Sequence, residues 1–217
     1  IVFWGDHGYQ LGDNDQWSKV TCFEHATRIP LIIKPAAGSA AARVGVGRRV
    51  LGFVETVDIM PSLVSLAIPG RALPRCPGTL LASRATVLCT DGKPHLVTAL
   101  HDPSANLSSA AFSQIPRDRL VQGMSGAGPP PHEQFMGYSI REDEFRYTEW
   151  HPFDAETGVA NWSTTVAVEL YVHGARASQT ADCSWDYESA NRAGAAELAS
   201  EQAALAMRLR SIVDDSI

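Results

Sequence analysis

Cysteine is scarce in this chain, four among 217 residues, and charge is thin at 19 %. Four thiols cannot staple a chain of this length, so its fold has to rest on buried apolar surface. The net charge is −6, and the arginines are scattered rather than gathered in a stripe, which sets aside a nucleic-acid surface. No apolar run approaches the ~20 residues that cross a bilayer. The sequence opens at Ile1, inside a strand and without a methionine, so targeting signals are not read from it. Only Ile1–Trp4 and Leu31–Ile33 read as buried strands of an α/β sheet, too few to build one. The expectation is the C-terminal portion of a larger protein, with Phe3 and Ile32 left apolar and uncovered.

The informative stretch lies directly behind the first strand. Asp6-His7-Gly8 is followed by Leu11-Gly12, Trp17-Ser18-Lys19 and Phe23-Glu24-His25-Ala26-Thr27-Arg28-Ile29-Pro30. An acid and a histidine just past the C-terminal end of a strand occupy the crevice where open α/β sheets hold ligands. Asp6 offers carboxylate oxygens to a hard cation such as calcium. His7 suits manganese or zinc better, since imidazole is a softer donor. Lys19 brings a compact positive charge suited to an anionic ester. Tyr9, Gln10 and Trp17 either contact a substrate or brace the loop. Glu24 and Arg28, four apart, suit a structural ion pair. Asp13-Asn14-Asp15 opens like a calcium loop but lacks the glycine and closing glutamate of an EF-hand. His25 is expected to pack beside the Arg28 segment, and His101, His132, His151 and His173 read as isolated surface or loop residues.

These motifs, in this order and spacing, resemble the second metal motif of the sulfatases, in the alkaline-phosphatase-like superfamily. Val57-Asp58-Ile59-Met60-Pro61-Ser62-Leu63 is similar to the family's helix behind the active-site loops. Phe112-Ser113-Gln114 with Pro116-Arg117, and Met136-Gly137-Tyr138-Ser139-Ile140-Arg141 with Arg146-Tyr147-Thr148, resemble the iduronate-2-sulfatase branch, and Glu169-Leu170-Tyr171 matches the family's last strand. The implied fold class is α/β: the C-terminal part of an alkaline-phosphatase-like sulfatase fold, with a small antiparallel sheet and C-terminal helix as a subdomain. The implied function is sulfuric ester hydrolysis on a sugar, down to iduronate 2-sulfate. Asp6 and His7 would be metal ligands, His7 and Lys19 catalytic, and Lys19, Tyr9 and Trp17 substrate-binding. The cofactor would be calcium, or alternatively manganese. The family's nucleophile is a formylglycine made from Cys-x-Pro-x-Arg, and none of Cys22, Cys76, Cys89 or Cys183 stands in that setting. It is expected upstream, and the isolated chain is expected to be inactive. The hairpin near Tyr138 and Arg146 and the loop at residues 114–117 are expected to help shape the sugar pocket.

A similar loop in that branch carries a disulfide, implying a Cys76–Cys89 bridge. Cys22 is expected buried and free, and Cys183 could pair outside this chain. Sequons at Asn106 and Asn161 suit a glycoprotein of the secretory pathway, lysosomal or extracellular. A phosphonate or phosphodiester hydrolase of the same superfamily, and a non-catalytic relative that binds sulfated glycans, are the competing readings.

Three regions are expected. Residues 1–70 end the catalytic α/β domain, with Thr56 capping a helix over 57–66 that ends at Pro69-Gly70. Residues 71–134 read as irregular insertion, rich in proline. Residues 135–217 form an antiparallel meander, strands at 136–140, 145–150 and 166–172 with a turn at 141–144. From Ala195 a helix should bury Leu198, Ala199, Leu205, Ala206, Leu209, Ile212 and Val213.

Overall fold

The computed structural model describes residues 1–39, 41–42, 47, 49–50, 52–68, 70–76, 89–102, 107–120, 132–173 and 188–214. Cys183, Asn106 and the proline run at 129–131 fall outside them. The chain forms two compact units, one of residues 1–4, 30–111 and 213–217, the other of residues 5–29 and 112–212.

In the first unit β1 (Val2–Trp4) pairs antiparallel with β4 (Leu31–Ile33), Phe3 opposite Ile32. The sequence reads both strands as buried, and that is corrected: Phe3 is 59 % and Ile32 62 % exposed. A two-stranded ribbon buries neither face by itself. The uncovered apolar surface anticipated at these two positions is therefore present. Helix α2 (Ile59–Ala67) follows a 3₁₀ turn at Thr56–Asp58. The cap of that turn is Glu55 rather than Thr56. The Glu55 amide donates to the Asp58 carboxylate at 2.9 Å, and the reciprocal bond completes a capping box. Asp58 is buried, and also accepts the Lys93 amide at 2.8 Å, tying α2 to the residues before α3 (His95–His101). Pro61 sits in the first turn of α2, where its missing N–H costs no bond. Cys76 and Cys89 are joined by a disulfide with their Cα atoms 4.9 Å apart.

The second unit is built on an antiparallel sheet. Its long strands are β5 (Ala111–Leu120), β6 (His132–Arg141) and β7 (Phe145–Asp154). The short β8 (Val159–Ala160) and β9 (Ala167–Val172) both pair with β7. The irregular stretch expected over 71–134 thus contains a helix and a ten-residue strand. Pro116 obscures that strand in the sequence, because proline is tolerated only where its nitrogen owes the ladder no bond. The meander is present, but Arg141 belongs to β6, opposite Arg146, rather than to the turn.

Side chains alternate across a strand. On one face of the sheet stand Arg146, Thr148 and Trp150 of β7, beside Arg141, Ser139 and Gly137 of β6 and Tyr171, Glu169 and Ala167 of β9. A Cβ on Gly137 would lie 2.8 Å from the Trp150 ring, so glycine there seats the indole. The opposite face carries Tyr138, Ile140, Tyr147, Glu149 and His151. There Trp162 packs 4.7 Å from Tyr138 and 4.2 Å from His151, with the Arg210 guanidinium 4.4 Å over its ring. Arg210 lies on helix α4 (Ala199–Asp214), which buries Leu205 and Leu209 as the spacing predicts but leaves Ala199 exposed in its first turn.

Candidate active site

Hairpin β2 (Gln10–Leu11) and β3 (Trp17–Ser18) brings the two ends of the motif loop together, with Gln10 opposite Ser18. The turn between them needs a left-handed backbone at Gly12, Asn14 and Asp15. Asn and Asp tolerate that region better than most residues. The Asp13 carboxylate accepts the Leu11 amide at 3.1 Å, and this bond holds its carboxyl below the usual range. Asp13-Asn14-Asp15 is thus a turn device. Gln10 is fully buried and braces the loop: its amide donates to the Asp13 carbonyl at 3.2 Å, and its oxygen accepts the Thr21 hydroxyl at 2.8 Å. Ser18 has φ 79°, a strained value for a side-chain-bearing residue, immediately before Lys19.

Asp6, His7 and Lys19 converge. His7 Nδ1 lies 2.7 Å from the Gly8 carbonyl oxygen, which can only accept, so the ring proton sits on Nδ1. Nε2 is left with its lone pair and accepts from the Lys19 ammonium at 2.6 Å. Asp6 Oδ2 is 3.4 Å from the same Nε2. Asp6 and Lys19 are exposed, His7 half so. Tyr9 and Trp17 stand on the same hairpin, 54 % and 71 % exposed.

The loop is seated from behind by α1 (Glu24–Thr27). The Gly8 amide donates to the Ala26 carbonyl at 2.8 Å, and a Cβ on Gly8 would lie 1.9 Å from the His25 carbonyl oxygen. Helix α1 is in turn held by a buried ion network that the sequence reading misses. Glu188 accepts the Glu24 amide at 2.6 Å through one oxygen. Through the other it accepts Arg146 Nε at 2.5 Å and His173 Nε2 at 2.8 Å. Arg146 Nη2 donates to Glu24 at 2.6 Å and to the Thr27 hydroxyl at 3.1 Å, and Arg141 Nε donates to Glu24 at 3.1 Å. The expected Glu24–Arg28 pair is present at 3.6 Å on its outer side. His25 instead faces Asp13 at 3.7 Å. Two further readings are corrected. His173 and His151 are buried rather than surface residues, His151 between the Thr164 carbonyl and Glu149. Tyr138 lies in the aromatic stack on the other face rather than in a pocket wall.

Burial alone would raise the Glu188 carboxyl, but Arg146 and the His173 hydrogen bond outweigh it and hold it at about 2. Glu24 is lowered likewise, burial being outweighed by Arg146 and Arg141. Burial lowers His173, against the hydrogen bond to Glu188. Arg146 is the main counterion of Glu188, and His173 adds the next largest stabilisation through its N–H.

Two groups could be read as metal sites. Glu24, His173 and Glu188 offer donor atoms within 4.8 Å of one another. Two guanidinium groups already occupy those oxygens, so a cation would have to displace cations, and this group is structural. Asp6 offers an exposed carboxylate, and His7 an imidazole whose Nε2 lone pair a cation would have to take from the Lys19 ammonium; the second ring nitrogen donates to a carbonyl as metal-bound histidines do. Two side chains supply only part of the six to eight oxygens calcium takes, so they fit one side of a site.

Comparison with known proteins agrees with this loop. Residues 1–69 match the family model described as Sulfatase. Over 204 residues the chain is 33 % identical to iduronate 2-sulfatase of Mus musculus, covering 79 % of this chain and 35 % of that protein. The corresponding figures for the Homo sapiens iduronate 2-sulfatase are 32 % over 202 residues, 79 % and 36 %. Against the multifunctional alkaline phosphatase superfamily protein PehA of Trinickia caryophylli it is 39 % identical over 64 residues, 30 % of this chain and 12 % of that protein. The chain spans about a third of the length of the iduronate 2-sulfatases it matches.

Proposed function

With this chain a member of the sulfatase family, we propose that it forms part of a hydrolase for sulfate esters of sugars, with a 2-sulfated uronide of the iduronate type as substrate. The observation that carries the reading is the convergence of Asp6, His7 Nε2 and Lys19 on one exposed point. Asp6 and His7 hold one side of a divalent cation, calcium or alternatively manganese. Such a cation, once bound, supplies a Lewis acid that draws charge from the sulfate oxygens. Lys19 pairs with a sulfate oxygen and offsets the charge that develops as the ester breaks. The Gly8 carbonyl fixes the tautomer that turns the Nε2 lone pair toward Lys19 and Asp6. Tyr9 and Trp17 contact the sugar beside the sulfate.

None of the four cysteines stands in Cys-x-Pro-x-Arg, so the formylglycine nucleophile has to come from outside these 217 residues. Alone, the chain binds without turnover. The Cys76–Cys89 bridge, with glycosylation at Asn161 and Asn106, suits the secretory pathway, lysosomal or extracellular. Asn161 is exposed, its side-chain oxygen 2.6 Å from the Ser163 hydroxyl. No described helix is long and apolar enough to cross a membrane. Residues 1–70 are the end of the catalytic domain, 71–134 an insertion bordering the pocket, and 135–217 the terminal subdomain.

The test is hydrolysis of 2-sulfated uronides and aryl sulfates against matched phosphate esters by a longer protein carrying this segment. Preference for sulfate, lost with Lys19→Ala, is expected. Preference for phosphate would move the chain to the phosphodiester and phosphonate hydrolases. Binding of sulfated saccharide with no sulfate released would make it a glycan-binding relative.

A further inference from the structure

A cleft of about 190 Å³ opens on the sheet face that carries Arg146, Thr148 and Trp150, and its other wall is the loop that carries Lys19. Gln16, Thr21, Cys22 and Phe23 line that wall, with Arg117 and Glu169 on the sheet side. The volume suits one sugar ring rather than a drug-sized ligand.

The charges in the cleft are not equivalent. Arg146 is spent on Glu24 and Glu188. Glu169 accepts the Trp150 indole N–H at 2.8 Å and is hydrogen-bonded to Tyr171. The Cys22 thiol is neutral, pushed up to about 12 by burial. Arg117 is exposed, and among the described residues no acceptor pairs with its guanidinium. Its direction follows from the strand: Phe112 stacks 6.3 Å from Tyr138 on the opposite face, so five residues later Arg117 emerges on the cleft side.

A guanidinium with no acceptor among the described residues, in one cleft with an indole held by Glu169 and packed on Gly137, is a recognition pair. The planar fork matches a carboxylate through two parallel bonds. The aromatic wall takes the apolar face of a sugar ring, as its amphipathic character allows. We infer that the cleft lined by Arg117 and Trp150 is a subsite for the carboxylate of a uronic acid residue, held while Lys19 and its neighbours take the sulfate. This rests on the sulfatase reading above and deepens it. A second sulfate on the sugar is the other oxyanion that Arg117 could bind; the planar fork favours the carboxylate.

The test is titration calorimetry of the chain with four disaccharides: a 2-sulfated uronate, its carboxyl-reduced alcohol, that alcohol carrying an additional sulfate, and the desulfated uronate. Wild type is expected to bind the uronate about tenfold more tightly than the alcohol. Arg117→Ala should abolish that ratio while binding the alcohol as wild type does. Arg117→Lys should keep only part of it, since an ammonium pairs as a point charge. A ratio that survives Arg117→Ala, an Arg117-dependent gain that follows the extra sulfate instead of the carboxylate, or no binding of any of the four would overturn the subsite. The sulfatase reading is judged on a separate axis, the sulfated against the desulfated uronate in wild type and Lys19→Ala. Either proposal can therefore fail while the other stands.

Discussion

Two clusters in the second unit are made of the same residue types and do opposite work. Asp6, His7 and Lys19 are an acid, an imidazole and a cation on an exposed loop. Glu24, Glu188, His173, Arg141 and Arg146 are acids, an imidazole and cations in the interior. In the interior Glu24 is met by guanidinium donors and Glu188 by guanidinium, imidazole and amide donors, because an unpaired buried charge is too costly to keep. On the loop the three groups pair with one another and Asp6 and Lys19 stand exposed, so a ligand can reach them. Composition does not separate structure from function here; burial does, through the number of partners it forces on each charge.

The strongest way to break the contrast is Arg146→Leu. Removing one member of a buried ion network leaves Glu24 and Glu188 uncompensated, at a cost of about 3–5 kcal/mol. Denaturant unfolding is expected to show the sheet unit losing its cooperative transition or nearly so. A small change would mean that the network contributes little.

Acid is the next lever. Glu188 titrates near 2 folded against 4.5 ordinarily, so the folded state binds fewer protons between those values. Its stability contribution is present above pH 4.5 and lost as pH falls through 2, on the order of 3 kcal/mol. His173 is lowered from 6.5, so protonation also works against the fold as pH drops below that value. Stability followed by chemical denaturation from pH 7 to 2 should fall steeply in wild type. Glu188→Gln should begin lower at pH 7 and fall less below pH 4.5. Parallel curves would refute the assignment of that slope to Glu188.

Gly8→Ala tests the joint between the clusters. A Cβ 1.9 Å from a backbone oxygen forces the loop off α1, with a stability loss of about 1–3 kcal/mol. His7 should lose its fixed tautomer, visible in its ¹⁵N shifts. An unchanged His7 spectrum would show that α1 does not hold the loop.

Lys19→Ala should be the mildest for the fold and the sharpest for binding. An unchanged melting temperature is expected together with loss of preference for the sulfated over the desulfated disaccharide. A large drop in melting temperature would make Lys19 a structural residue.

Part of this was readable along the chain. The hydrophobic run at 1–4, the alternation in β6, β7 and β9 and the helical spacing of Leu205 and Leu209 are local patterns with a fixed period. Asp6, His7 and Lys19 could be singled out because all three lie within one loop. Strand β5 was hidden by Pro116, and the exposure of β1 and β4 depends on what else packs on them.

Sequence by itself determined the short-range features: the family motif, the left-handed turn at Gly12, the period of each element and the chemistry each side chain can offer. Tertiary structure alone decided that His173 and Glu188 meet Glu24, a contact 164 residues apart in the chain between Glu24 and Glu188. It alone decided that the His7 Nε2 lone pair meets Lys19, and that Arg117 and Trp150 line one cleft. The physical reason is that a charge acquires its role from its surroundings. Burial and partners set which state is stable, and neither has a period along the chain.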